Sequence, residues 1–298
     1  MTAVPQAASQ PKPARPAGPG TPRGERAGQP RQLIITVYGL YSRATGGWMS
    51  VASLVSLLTD LGVDEPAVRS SISRLKRRGI LHASRRSGAA GYALSDEALA
   101  ILAEGDRRIF RRERARLDDG WLLAVFSVPE AERQQRHVLR SQLAQLGFGT
   151  AAPGVWIAPA HLHHATADML RRLGLDTYAD LFRADHVAFG DPAGKVRQWW
   201  DLDLLQRYYG QFIDAHGPLL RRWRSRPAGL PPAGRTEAFA DYVRVLTDWR
   251  RLPYLDPGLP AELLPGNWIG ARAAELFFTL QAQLEEAARA HVSQVISA

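Results

Sequence analysis

At 298 residues and 45% hydrophobic content, the chain is long enough for two or three domains with cores of their own. No stretch approaches the roughly 18 apolar residues of a membrane span and the N-terminus has no apolar signal core, which predicts a cytoplasmic protein. The absence of cysteine excludes disulfides, thiolate zinc sites and a cysteine nucleophile, and the formal charge of +9 points to an anionic partner only if it is concentrated.

Residues 1–30 are rich in Pro, Ala, Gly, Gln and Arg and nearly free of large apolar side chains, a composition that predicts a disordered tail. Residues 31–95 then read as a DNA-binding unit. Leu33, Ile34, Val37, Leu40 and Tyr41 fall at helical spacing up to Gly46-Gly47. Ser50 is placed to cap a second helix carrying Leu54, Val55, Leu57 and Leu58, and Asp64 to cap a third with Pro66 in its first turn.

That third helix opens an acid-free run. From Pro66 to Ser95 there are thirty residues without Asp or Glu, holding Arg69, Arg74, Lys76, Arg77, Arg78, Arg85 and Arg86. At 100° per residue Val68, Ile72 and Leu75 share one face, whereas Ser70, Ser73, Arg74 and Arg77 point the other way, flanked by Arg69 and Lys76 on one side and Arg78 on the other. Small hydroxyls let a backbone approach DNA closely, and arginine forks onto guanine edges or phosphates. Ile80–Ser84 and Gly91–Leu94 alternate as strands about a tip of Arg85-Arg86-Ser87-Gly88, a cationic hairpin suited to the sugar-phosphate backbone. Three helices and a basic hairpin make a winged helix-turn-helix.

Residues 96–117 read as one long connecting helix. Its arginines Arg107, Arg108, Arg111, Arg112, Arg114 and Arg116 alternate with Glu104, Asp106, Glu113, Asp118 and Asp119, which predicts a solvated connector. Residues 118–190 give strand, helix, two short strands, helix and closing strand, the ferredoxin-like order. Residues 191–298 are helical. They hold Trp199, Trp200, Tyr208, Tyr209, Trp223, Trp249 and Trp268, a density that fits a core or dimer interface and, in a sharper reading, a pocket for a flat ligand. The fold class is thus α+β and multidomain.

Catalytic and metal motifs are not evident: there is no Gly-rich phosphate loop, no nucleophile elbow and no His-Glu-x-x-His pair. His161-x-His163-His164 gains only Asp168 at helical spacing, and a helix-start or surface role is the expectation. No cofactor and no enzymatic activity are predicted.

Leu33-Ile34-Ile35-Thr36-Val37-Tyr38-Gly39, Ala67-Val68-Arg69 through Ser73-Arg74-Leu75 and Gly79, Tyr254-Leu255-Asp256-Pro257-Gly258-Leu259-Pro260, Leu263-Leu264-Pro265 and Trp268-Ile269-Gly270 together resemble the PaaX family, repressors of bacterial phenylacetate degradation. Ile269 stands where the family pattern has Pro. The resemblance implies a homodimeric winged-helix repressor that binds operator DNA, is nucleoid-associated when bound, and lets go when an aromatic acyl-CoA such as phenylacetyl-CoA binds. Arg221, Arg222, Arg224 and Arg226 are then candidates for the coenzyme phosphates. It also implies that the middle unit is similar to the Cas2 nucleases, which use an Asp at the end of the first strand. This chain has Phe126-Ser127-Val128-Pro129 there, against the alternative of a metal-dependent nuclease; an architectural DNA-binding protein is the other alternative.

Overall fold

The structure is a computed structural model that describes residues 22–112, 114–187, 189–226 and 229–297, the first eight of these by backbone only. Residues 1–21 of the expected tail and Glu113 lie outside the described residues. Helix α1 (Pro22–Tyr41) begins ahead of the apolar stripe that opens at Leu33. Apolar periodicity marks where a helix is buried, not where it starts, and Pro22 stands at a first position where proline costs no hydrogen bond.

The N-terminal unit, the head, continues with β1 (Trp48–Ser50), α2 (Val51–Asp60), α3 (Glu65–Arg77), β2 (Leu81–Arg86) and β3 (Ala89–Leu94), with the sheet in the order β1-β3-β2. Both caps form as expected: the Ser50 hydroxyl accepts from the Ser53 amide at 3.0 Å, and the Asp64 carboxylate from Ala67 at 2.7 Å. Val68, Ile72 and Leu75 are buried, joined by Ser71. Strand β1 has only three residues, too few for alternation to register in the sequence. The hairpin differs from expectation in one respect. Arg85 and Arg86 belong to β2, and the turn is the two-residue Ser87-Gly88, with φ of 48° and 80°. Two positive φ values form the type I′ turn that matches strand twist, so the ladder runs further out than residue type suggested.

Helix α4 (Asp96–Asp106) is capped by Ser95 and passes into a wider turn at Arg107–Arg111. The expected single helix stops there, at Arg112, whose φ is 27°. The middle unit then gives β4 (Trp121–Phe126), α5 (Arg133–Gln145), β5 (Gly149–Ala152), β6 (Val155–Pro159), α6 (His163–Leu173) and β7 (Ala179–Ala184). Its antiparallel sheet has the order β5-β6-β4-β7, the ferredoxin-like arrangement. Leu122 and Ala124 of β4 pack with Leu139 and Leu143 of α5 and Met169 and Leu170 of α6.

The remainder is α7 (Pro192–Trp199), α8 (Leu202–Arg224), α9 (Pro232–Trp249), α10 (Leu252–Leu255) and α11 (Gly270–Ser297). Tyr209, Trp223 and Trp249 are buried, with Trp249 stacked on Phe277 at 4.8 Å between centroids. These three rings form core. One apolar cluster joins Leu33, Ile34, Val37, Leu57 and Leu58 of the head to Phe239, Tyr242, Leu246, Phe277 and Val292 of the C-terminal bundle. Polar ties cross the same boundary: Thr36 with Thr247 at 2.8 Å, Asp60 with His291 at 2.8 Å, and Arg244 donating to the Leu61 carbonyl at 3.0 Å. The bundle therefore braces the rear of the head through α1 and α2, while the cationic face of α3 points to solvent.

Candidate nucleic-acid interface

Burial of Val68, Ile72 and Leu75 fixes the rotation of α3 about its axis. As a consequence Arg69, Ser70, Ser73, Arg74, Lys76, Arg77 and Arg78 are all exposed. The side chains of Arg74, Arg77 and Arg78 have no hydrogen bond or ion pair with any described residue. Arg69 is paired with Glu65 one turn earlier, and the Lys76 ammonium sits 5.7 Å from the Tyr92 ring centroid. Thirteen residues make a rod about 20 Å long, and a major groove about 12 Å wide admits one such helix.

Among the described residues Arg85 donates only to the Gly88 carbonyl of its own turn, at 3.3 Å. Arg86 is differently placed. Its guanidinium donates to the Thr45 carbonyl and, at 3.3 Å, to that of Gly46, and it lies 5.5 Å from the Trp48 ring centroid. Between α2, α3 and the hairpin is a recess of about 450 Å³ lined by Ser50, Val51, Ala52, Glu65, Arg69 and Ala90, among others.

The connector arginines divide: Arg107, Arg111 and Arg116 are exposed, as a solvated connector would have them, whereas Arg108, Arg112 and Arg114 are drawn into the protein, contrary to expectation. Arg112 and Asp256 form an ion pair with side chains 8% and 1% exposed. Arg112 also donates to the Tyr209 hydroxyl and, at 3.2 Å, to the Gly270 carbonyl, and stacks on the Tyr209 and Trp249 rings. Asp256 in addition accepts from Tyr209 and, at 2.9 Å, from the Gly258 amide. Burial alone would raise the Asp256 pKa, but Arg112, Arg114, the Tyr209 hydroxyl and the Gly258 amide together hold it below the ordinary carboxylate value. Burial first, and then the Asp256 charge, push the Tyr209 hydroxyl well above its ordinary value. Arg108 donates to the Leu146 carbonyl at 2.7 Å and covers the Tyr254 ring, and Arg114 donates to the Leu259 carbonyl at 3.2 Å. Both the middle unit and the C-terminal bundle are held to the connector by these contacts. The signal for this hub was in the Tyr254-Leu255-Asp256-Pro257-Gly258 segment, but no spacing rule links it to residue 112.

The structure treats the four C-terminal arginines unequally. Arg222 pairs with Asp241 and, at 3.4 Å, with Glu237, and Arg226 pairs with Glu237 at 2.6 Å while stacking on Trp223. Arg221 and Arg224 are exposed and have no side-chain partner among the described residues. In the middle unit the His163 and His164 rings pack at 3.6 Å, and Asp168 pairs with Arg171. Among the described residues no group of three or more His, Asp or Glu is arranged to hold a metal ion, and no helix is long and apolar enough to cross a membrane.

Three family models match the chain in tandem: "PaaX-like protein" over residues 29–98, "PaaX protein central Cas2-like domain" over 114–196 and "PaaX-like protein C-terminal domain" over 200–294. The chain is similar to the transcriptional repressor PaaX of Escherichia coli (strain K12), 29% identical over 265 residues that cover 88% of this chain and 82% of the relative. An uncharacterized protein from Mycobacterium tuberculosis has the same fold, with a TM-score of 0.52 at 24% identity, over 86% of this chain and 97% of that one.

Proposed function

The chain belongs to the PaaX family, and from that premise we propose that it is a DNA-binding transcriptional repressor, not an enzyme, whose α3 enters the major groove while the hairpin flanks it as a wing. The observation that carries this reading is the α3 face itself. Arg74, Arg77 and Arg78 are exposed and have no partner among the described residues, beside the small Ser70 and Ser73 and within a run free of acids. Cations left without protein partners on a rigid helix keep their full attraction for phosphate and base edges.

In this reading the protein acts in the cytoplasm as a homodimer on inverted half-sites, spaced by about 34 Å or a multiple of it, one DNA turn each. The regulated genes serve aromatic catabolism, and an aromatic acyl-CoA such as phenylacetyl-CoA is the releasing ligand. Release requires that this ligand favour the conformation with low DNA affinity. Arg221 and Arg224 are the better candidates for its phosphates, since Arg222 and Arg226 would have to leave Glu237 and Asp241.

Genome-wide mapping of bound sites, followed by anisotropy titration on the recovered operator, tests the reading. The expected result is salt-dependent binding to a two-fold site that phenylacetyl-CoA weakens. An Arg74/Arg77/Arg85 triple alanine variant that keeps native operator affinity would refute the assignment of the DNA face, and unchanged binding at saturating phenylacetyl-CoA would remove that ligand.

A further inference from the structure

We infer that Arg86 is a positioning residue that sets the angle of the wing, and that Arg85 alone of the pair meets the DNA backbone. The inference rests on the proposed DNA-binding reading and assigns the wing's two arginines to different tasks within it.

Side chains on a strand alternate between faces. On β2, Leu81 is buried against the helices, so Ala83 and Arg85 share its face, and His82, Ser84 and Arg86 share the other. The register carries this across the sheet: Tyr92, opposite Ala83, lies on the helix side and receives Lys76 of α3. A duplex lying along α3 therefore passes on the Arg85 side of the ribbon. Arg86 projects from the reverse side, where its partners are already present.

Those partners form a stack. Trp48 of β1 lies across Gly91 of β3, so closely that a Cβ built at Gly91 would be 2.5 Å from the indole ring and from the Met49 carbonyl. Its Nε1 donates to the Ser84 carbonyl at 3.4 Å. The Arg86 guanidinium covers the indole and donates to the carbonyls of Thr45 and Gly46. Thus the outer end of β2 is tied through Trp48 to the turn before β1, over a glycine that leaves room for the ring. Arg85 makes no comparable tie. Arginine suits such a clamp because its planar fork binds two carbonyls while its face stacks on an aromatic ring; lysine offers the charge without that geometry.

Two measurements test the assignment. Binding to a fluorescein-labelled duplex of random sequence is followed by anisotropy across a salt series. Loss of one phosphate contact lowers the slope of log Kobs against log [salt] by about 1. Arg85→Ala is expected to lower the slope by that amount, and Arg85→Lys to restore it. Arg86→Ala and Arg86→Lys are both expected to weaken binding several-fold at the native slope. A native slope and affinity in Arg86→Lys, with the slope lowered in Arg86→Ala, would make Arg86 a phosphate contact and overturn the proposal.

The second measurement needs no DNA. Hydrogen exchange on the free full-length protein is expected to speed up over residues 81–94 in Arg86→Ala and in Trp48→Leu, with α2 and α3 unchanged, and to stay native in Arg85→Ala. Native exchange in the Arg86→Ala wing would also overturn the clamp. A native protein that fails to bind any duplex would refute the DNA-binding reading, and the exchange result would still decide whether Arg86 holds the wing.

Discussion

Two stretches of this chain carry six arginines each and use them differently. Residues 66–95 present Arg74, Arg77 and Arg78 to solvent without a partner among the described residues, while residues 107–116 bury Arg112 against Asp256 and lay Arg108 on Tyr254. What separates them is geometry. On α3 the apolar stripe turns the cations outward, whereas the connector passes between the middle unit and the C-terminal bundle and has no outward side for Arg112. The first cluster keeps its charge available to a ligand. In the second, Arg108, Arg112 and Arg114 join parts of the protein, at a desolvation cost that for Arg112 a well-aligned carboxylate and several hydrogen bonds offset.

This contrast can be broken at either end. The largest effect is expected from Asp256→Ala, which strands a buried guanidinium: unfolding in urea should register a loss of about 3 to 5 kcal/mol. A change below about 1 kcal/mol would mean that water reaches Arg112 and that the two clusters differ less than their burial indicates. Next come Arg74→Ala and Arg77→Ala, each expected to weaken operator binding by about 1 to 3 kcal/mol while leaving the urea midpoint nearly native, within about 0.5 kcal/mol.

Acid titration sharpens the same comparison. Because the folded Asp256 carboxyl is held below its unfolded value of about 3.9, its contribution is fully present above that pH and is lost as pH falls through the lower folded value. Asp256→Asn should therefore flatten the pH dependence of stability below about pH 4 relative to native protein, and the arginine substitutions on α3 should leave it unchanged. The smallest effect is expected at Glu65. Its exposed pair with Arg69 contributes about 0.2 to 0.5 kcal/mol, so Glu65→Gln should cost little stability and tighten non-specific DNA binding by about twofold as Arg69 is freed.

Most of the head was legible from local signals. Ser50, Asp64 and Ser95 cap the helices they were expected to cap, and the i, i+4, i+7 spacing of Val68, Ile72 and Leu75 gave the rotation of α3. The ferredoxin-like order of the middle unit followed from its alternation of strands and helices. Strand β1 escaped because three residues carry no period. Arg86 looked equivalent to Arg85 because they are neighbours in sequence, yet the indole that covers it is 38 positions earlier and reaches it only across β3.

The chain by itself determined which residues form α3, which face of that helix is apolar, and that the opposite face is cationic, since all three follow from contacts within four residues. Only the tertiary structure decided which arginines remain free for an outside partner. The partner of Arg112 is 144 residues away, the cover of Arg86 comes from another strand, and Arg222 and Arg226 are claimed by carboxylates of the next helix. A guanidinium is satisfied by whatever acceptor the fold brings within about 3 Å, and sequence proximity does not specify that acceptor.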